Sequence, residues 1–103
     1  MTDEIKLIDH ETVLAELMKD PEYARWHWRG RPYVDLALAI YEHRKRAGIS
    51  QRDLGARVKI KAKGIRALES SDALGVQLNT VVDIAEALGC RVEIAFKTIE
   101  ETP

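Results

Sequence analysis

Apolar residues recur every three or four positions along most of the chain, and that spacing predicts helices. In "DHETVLAELMKD", Val13, Leu14, Leu17 and Met18 fall at helical intervals, with Asp9 placed to cap the segment. Asp20 offers a second cap, Pro21 suits a first helical position, and Glu22 complements the positive end of the helix dipole. "PEYARWHW" therefore reads as a short second helix. Gly30 and Pro32 in "RGRP" oppose continuation and are expected to end it. A longer helix starts at Pro32 or Tyr33 and stops at Gly48. Val34, Leu38 and Tyr41 share one stripe of it, with Ala37 beside them.

Ser50 and Asp53 are spaced for a capping box, and Leu54 and Val58 form the apolar stripe of the helix they open. Gly55 is small where another helix could come close. A turn falls near Lys59 and Ile60. "KAKGIRALES" follows as a helix with Ile65 and Leu68 inward and Lys61, Lys63 and Arg66 able to share the outer face. "SDALGVQL" is a loop. "NTVVDIAEALG" is a further helix, capped by Asn79, with Val81, Ile84, Ala85 and Leu88 inward and Gly89 at its end.

Only "RVEIAFK" alternates, with Val92, Ile94 and Phe96 on one face, which predicts a strand. One strand leaves its backbone groups unpaired, so it needs a partner. The same strand of a second copy, antiparallel across a two-fold axis, is the economical solution. The N-terminal "EIKLI" and a different protein are the alternatives. The expected fold class is mainly α. Residues 1–32 would form a helical extension, residues 33–90 a helical domain, and residues 91–103 the strand and tail.

Charge sharpens this picture. The net charge is −1, yet from Glu42 to Glu69 nine Lys and Arg face three acids, a local balance of +6. Residues 1–41 balance at −3 and residues 70–103 at −4. A basic middle between acidic flanks is the footprint of a polyanion-binding face, although a solvated helix face would look the same. The acidic start "MTDEIKLIDHE" has no apolar stretch and does not read as a signal peptide, and no apolar run approaches the ~20 residues of a membrane span. The lone cysteine, Cys90, permits no internal disulfide and fits a reducing cytoplasm. It is expected to be buried and inert, without a histidine partner. His10, His27 and His43 lack metal-ligand spacing and read as surface or cap residues. With no phosphate loop, nucleophile elbow or Cys–His signature, no enzyme, cofactor or metal is expected.

Two helices joined by a tight turn on a basic segment can place the second helix in the major groove of DNA. "ISQRDLGARVKIKAKGIRALE" closely resembles the helix-turn-helix of the Cro/repressor type, the XRE family, whose fold is the five-helix lambda-repressor-like domain. Ser50, Gln51, Leu54, Gly55, Val58, Ile60, Ile65, Leu68 and Glu69 match the pattern in register, and the resemblance spans about residues 34–89. It implies that Gln51 touches a phosphate and braces the recognition helix, and that Ala62, Lys63 and Arg66 face base edges. Lys59 and Lys61 would lie at or near the backbone. Ser70, Arg44 and Lys45 would add phosphate contacts.

The chain departs from that pattern at several positions. Lys59 stands where the family prefers Gly, Lys61 where Ser or Thr caps the recognition helix, and Ala62 where a Gln is frequent. Gly64 weakens the helix and could let its backbone approach DNA. A lysine-rich, amide-poor reading face favours phosphate anchoring and guanine over adenine.

The elements around the motif look like the antitoxin branch, in particular HigA-type antitoxins, dimers that repress their own operon and neutralise a small ribonuclease toxin. The expected partners are double-stranded operator DNA, a second copy and a small toxin, with no membrane, in the cytoplasm at the nucleoid. Leu14, Leu17, Met18, Tyr23, Trp26 and Trp28 could dock the toxin, since Trp and Tyr anchor interfaces, or could simply pack the N-terminal helices. Two other functions remain open. One is a stand-alone or phage-type regulator, and the other is a toxin neutraliser whose helix-turn-helix no longer reads DNA.

Overall fold

The structure, a computed structural model, describes residues 10–73 and 75–99. Five helices occur among them: α1 (His10–Met18), α2 (Pro21–Ala47), α3 (Gln51–Val58), α4 (Ala62–Glu69) and α5 (Leu78–Ala87). The described chain divides into two compact units, residues 10–30 with 96–99, and Arg31–Ala95. Asp9, "EIKLI" and the last four residues lie outside the described residues.

In the first unit, α1 is amphipathic but buries no residue fully. Asp20 caps α2 as expected, its carboxylate accepting the Glu22 N–H at 3.0 Å, with Pro21 in the first turn. Tyr23, Trp26, His27 and Trp28 form a chain of ring contacts along this first part of α2.

The expected break at "RGRP" does not occur, because α2 runs unbroken through Gly30 and Pro32. An interior proline forgoes one helix hydrogen bond at a cost of about 3 kcal/mol. Two things offset it. Arg31 and Asp35 pair across the proline at i,i+4, Nε to Oδ1 at 2.9 Å, and the residues that follow bury a full helical stripe.

That stripe is not Val34, Leu38 and Tyr41, all of which are exposed. It is Tyr33, Leu36, Ala37, Ile40 and Arg44, the next row round the helix. Both rows have helical spacing, and the inward one was hidden because it ends in an arginine. The core of this second unit joins Ile40 to Leu54, Ile65, Leu68, Ala73 and Ile84. Leu54 and Ile65 are wholly buried, and α3 packs on both α4 and α5.

Local signals set the helix ends. Gly48 (φ +73°) and Gly89 (φ +75°) end α2 and α5 in the left-handed region. In both, the next residue's N–H bonds the carbonyl five positions back: Ile49 to Arg44 at 3.3 Å, and Cys90 to Ala85 at 2.8 Å. The cap of α5 differs from expectation. The helix starts at Leu78, Gln77 occupies the cap position without a side-chain bond, and Asn79 lies inside the first turn.

Residues 91–98 form no strand, and no strand occurs among the described residues. The alternation of "RVEIAFK" is real, but no second extended segment of the described chain supplies a ladder. Val92 is half-buried, Ile94 is exposed and Phe96 is 97% exposed.

Cys90 is also corrected. It is half-buried, and its Sγ lies 3.3 Å from Nδ1 of His43, itself half-buried, so neither residue stands alone.

Candidate nucleic-acid interface

The site begins at Ser50. Its hydroxyl accepts the Asp53 N–H at 3.0 Å and the Asp53 carboxylate accepts the Ser50 N–H at 3.5 Å, which closes the capping box and fixes where α3 starts. At the other end Lys59 sits in the left-handed region (φ 63°, ψ 41°), the conformation the family fills with Gly. Lys59 and Ile60 both donate their N–H to the Gly55 carbonyl. Gly55 is obligatory for the same turn, because a Cβ there would overlap the Ile60 carbonyl oxygen. The neighbour that needs the space is thus the turn's own backbone and not another helix.

Lys61 then takes the cap position of α4 with no side-chain bond to the helix, as a lysine must. Ile65 and Leu68 point into the core, while Lys61, Lys63 and Arg66 are exposed and Ala62 is half-buried. Lys59 and Lys45 are exposed too. Gly64 is half-buried. A Cβ on it would meet Ile60 Cγ2 at 2.8 Å, so its small size serves packing inside the turn.

Three helices are tied together behind this face. Arg44 of α2 grips Glu69 of α4 in a two-pronged ion pair, Nε to Oε2 at 2.6 Å and Nη2 to Oε1 at 3.0 Å. Its Nη1 donates to the Ile49 carbonyl at 2.9 Å. Gln51 of α3 donates from Nε2 to Glu69 Oε1 at 2.9 Å. Burial raises the Glu69 pKa, but hydrogen bonds from Arg44 and Gln51, with the charges of Arg44 and Lys45, outweigh it and hold the carboxyl below the usual carboxylate range. The Arg44 guanidinium is raised by its hydrogen bond to Glu69, against desolvation.

This knot corrects the role expected of Arg44. At 7% exposure, with its donors turned to Glu69 and Ile49, it is a structural clamp and not a phosphate contact. Gln51 braces α4 through Glu69. Ser70 caps the far end of α4, and its hydroxyl donates back to the Arg66 carbonyl at 2.9 Å, so that proton is not free for a phosphate. The ring of Tyr41, which the sequence placed on the apolar stripe, lies 5.7 Å from both the Arg44 guanidinium and the Lys45 ammonium. The partner of Arg44 could have been found from the matched position of Glu69, since an acid at the inward end of a recognition helix needs a buried cation.

Of the docking candidates, Leu14, Leu17 and Trp26 are exposed, and Met18, Tyr23 and Trp28 are half-buried. Val13, Leu14, Leu17, Tyr23 and His27 line an open groove of about 380 Å³ within the first unit. No group of metal-ligating side chains is found among the described residues, and no described helix is long and apolar enough to cross a membrane.

A capped helix, a tight turn and a second helix with a basic outer face define a DNA-binding transcriptional regulator. The family described as Helix-turn-helix matches residues 40–94, and the chain belongs to it, in the XRE-type branch. No curated protein and no solved structure matches the chain.

Proposed function

We propose that the chain is a non-enzymatic repressor that binds operator DNA as a homodimer and acts as the antitoxin of a type II toxin–antitoxin module. The observation that carries the repressor reading is the exposed row Lys61, Lys63 and Arg66 on a helix clamped from behind by Glu69, Arg44 and Gln51. Two copies would hold such helices about 34 Å apart, one turn of DNA. The exposed Ile94 and Phe96 support pairing between copies, and the exposed Leu14, Leu17 and Trp26 support a toxin-docking surface. The antitoxin role itself rests on the resemblance of the segments flanking the motif.

Fluorescence anisotropy on the DNA upstream of the gene and on scrambled DNA tests the repressor reading. A preference of about 10³-fold or more for upstream DNA supports it. Equal, weak binding overturns it and favours the toxin neutraliser that no longer reads DNA, to which the uncapped Lys61 and the short Ala62 lend support. Titration with the purified product of the adjacent reading frame tests the antitoxin role. Loss of binding in a Leu17→Ser, Trp26→Ser variant is expected, and absence of binding by the unaltered chain leaves a stand-alone regulator.

A further inference from the structure

The chemistry of the α4 face restricts which bases it can read. Its exposed polar side chains, Lys61, Lys63 and Arg66, only donate hydrogen bonds. The only side-chain acceptor in α4 is Glu69, and both its oxygens are occupied by Arg44 and Gln51 with the side chain 6% exposed. Gln51, on α3, donates its nitrogen to the same carboxylate and keeps only its carbonyl oxygen as an acceptor. The exposed side chains of α4 itself hold no acceptor, so they cannot accept from the amino group of adenine or cytosine. Guanine offers two acceptors and no donor in the major groove, and thymine one acceptor beside a methyl.

We infer that base readout by the exposed side chains of α4 is confined to acceptor edges. Arg66 takes guanine N7 and O6, Lys63 takes a second guanine, and Ala62 lies against a thymine methyl. Positions 62 and 66, and 63 and 66, are one helical turn apart, so the three form one patch. Arg66 has the fork that suits both guanine acceptors at once, whereas Lys63 brings a single point charge. Lys61 and Lys59, at the start of α4, are left for the backbone. This inference rests on the operator-binding reading above.

The test selects duplexes from a random pool with the full-length protein. Each guanine of the recovered site is then replaced in turn by 7-deazaguanine, which keeps its pairing and loses N7. One or two guanines per half-site should each weaken binding by about 5- to 150-fold when replaced. Arg66→Ala should weaken binding to the natural site by a similar factor, and weaken it little further once the guanine that Arg66 reads is replaced. If the recovered sites are specific but tolerate every replacement, the inference fails and the repressor reading stands. If no sequence is enriched, both fail. The guanine replacements use the unaltered protein, so that arm does not depend on a variant's folding.

Discussion

Arg44 and Glu69 are each under one-tenth exposed at the side chain, so removing either leaves a buried charge behind. Arg44→Ala should destabilise the domain by about 3–5 kcal/mol, read from urea unfolding. The pair also sets an acid response. The folded pKa of Glu69 lies below its unfolded value of about 4.3, so below neutrality the unfolded chain binds more protons. Its stabilisation is complete above that value and is lost as pH falls through the folded pKa. Unfolding midpoints between pH 5 and pH 2 should therefore decline, and less steeply in Glu69→Gln. Lys59 is a separate case. Its left-handed backbone costs roughly 1 kcal/mol, so Lys59→Gly should raise the melting temperature while removing a charge near the DNA face. Arg44 was misread because its partner lies 25 residues away, and nothing in "EHRKRAG" announces that its first arginine turns inward.

Helix ends were the most legible feature of this chain, because they depend on two or three neighbours. Ser50 with Asp53, Asp20 with Pro21, Gly48 and Gly89 all act where the sequence put them. Events that depend on packing were not legible. Pro32 is a correct local signal for a break, yet the inward row Tyr33, Leu36, Ala37 and Ile40 packs on the core and carries α2 through it. The alternation of residues 91–97 predicted a strand, but a strand requires a neighbour that the pattern cannot provide. Two substitutions test the turn between α3 and α4. Gly55→Ala gains helix propensity but forces a Cβ into the Ile60 carbonyl, and should cost about 1–3 kcal/mol or more. Lys61→Ser supplies the missing cap and should stabilise α4 by about 1 kcal/mol.

DNA affinity should follow the charge of the second unit and not the net −1 of the chain. The logarithm of the binding constant should fall linearly with that of salt, with a slope of about −0.9 per phosphate neutralised. Lys61→Ser, stabilising to the fold, should make that slope shallower by about one such unit. Self-association should depend on the exposed apolar end of the chain. If the chain pairs as proposed, Ile94→Ser with Phe96→Ser should shift sedimentation from dimer to monomer. The basic middle segment was visible in the sequence, and so were most of the residues that present it, because they are exposed lysines and arginines; Arg44, turned inward, is the exception. The charge total did not show which acid would be withdrawn from that surface, since Glu69 counts in it like any exposed carboxylate; only its matched place in the motif carries that signal. The turn has one more consequence. Its angle is set by main-chain atoms, Gly55 against Ile60, and by a knot on the inner side, while Lys63 and Arg66 stand exposed. Frame and lettering are separate, so exchanging those two letters should leave folding within about 0.5 kcal/mol. A lineage carrying this chain could change the address it answers to without redesigning the molecule that carries it.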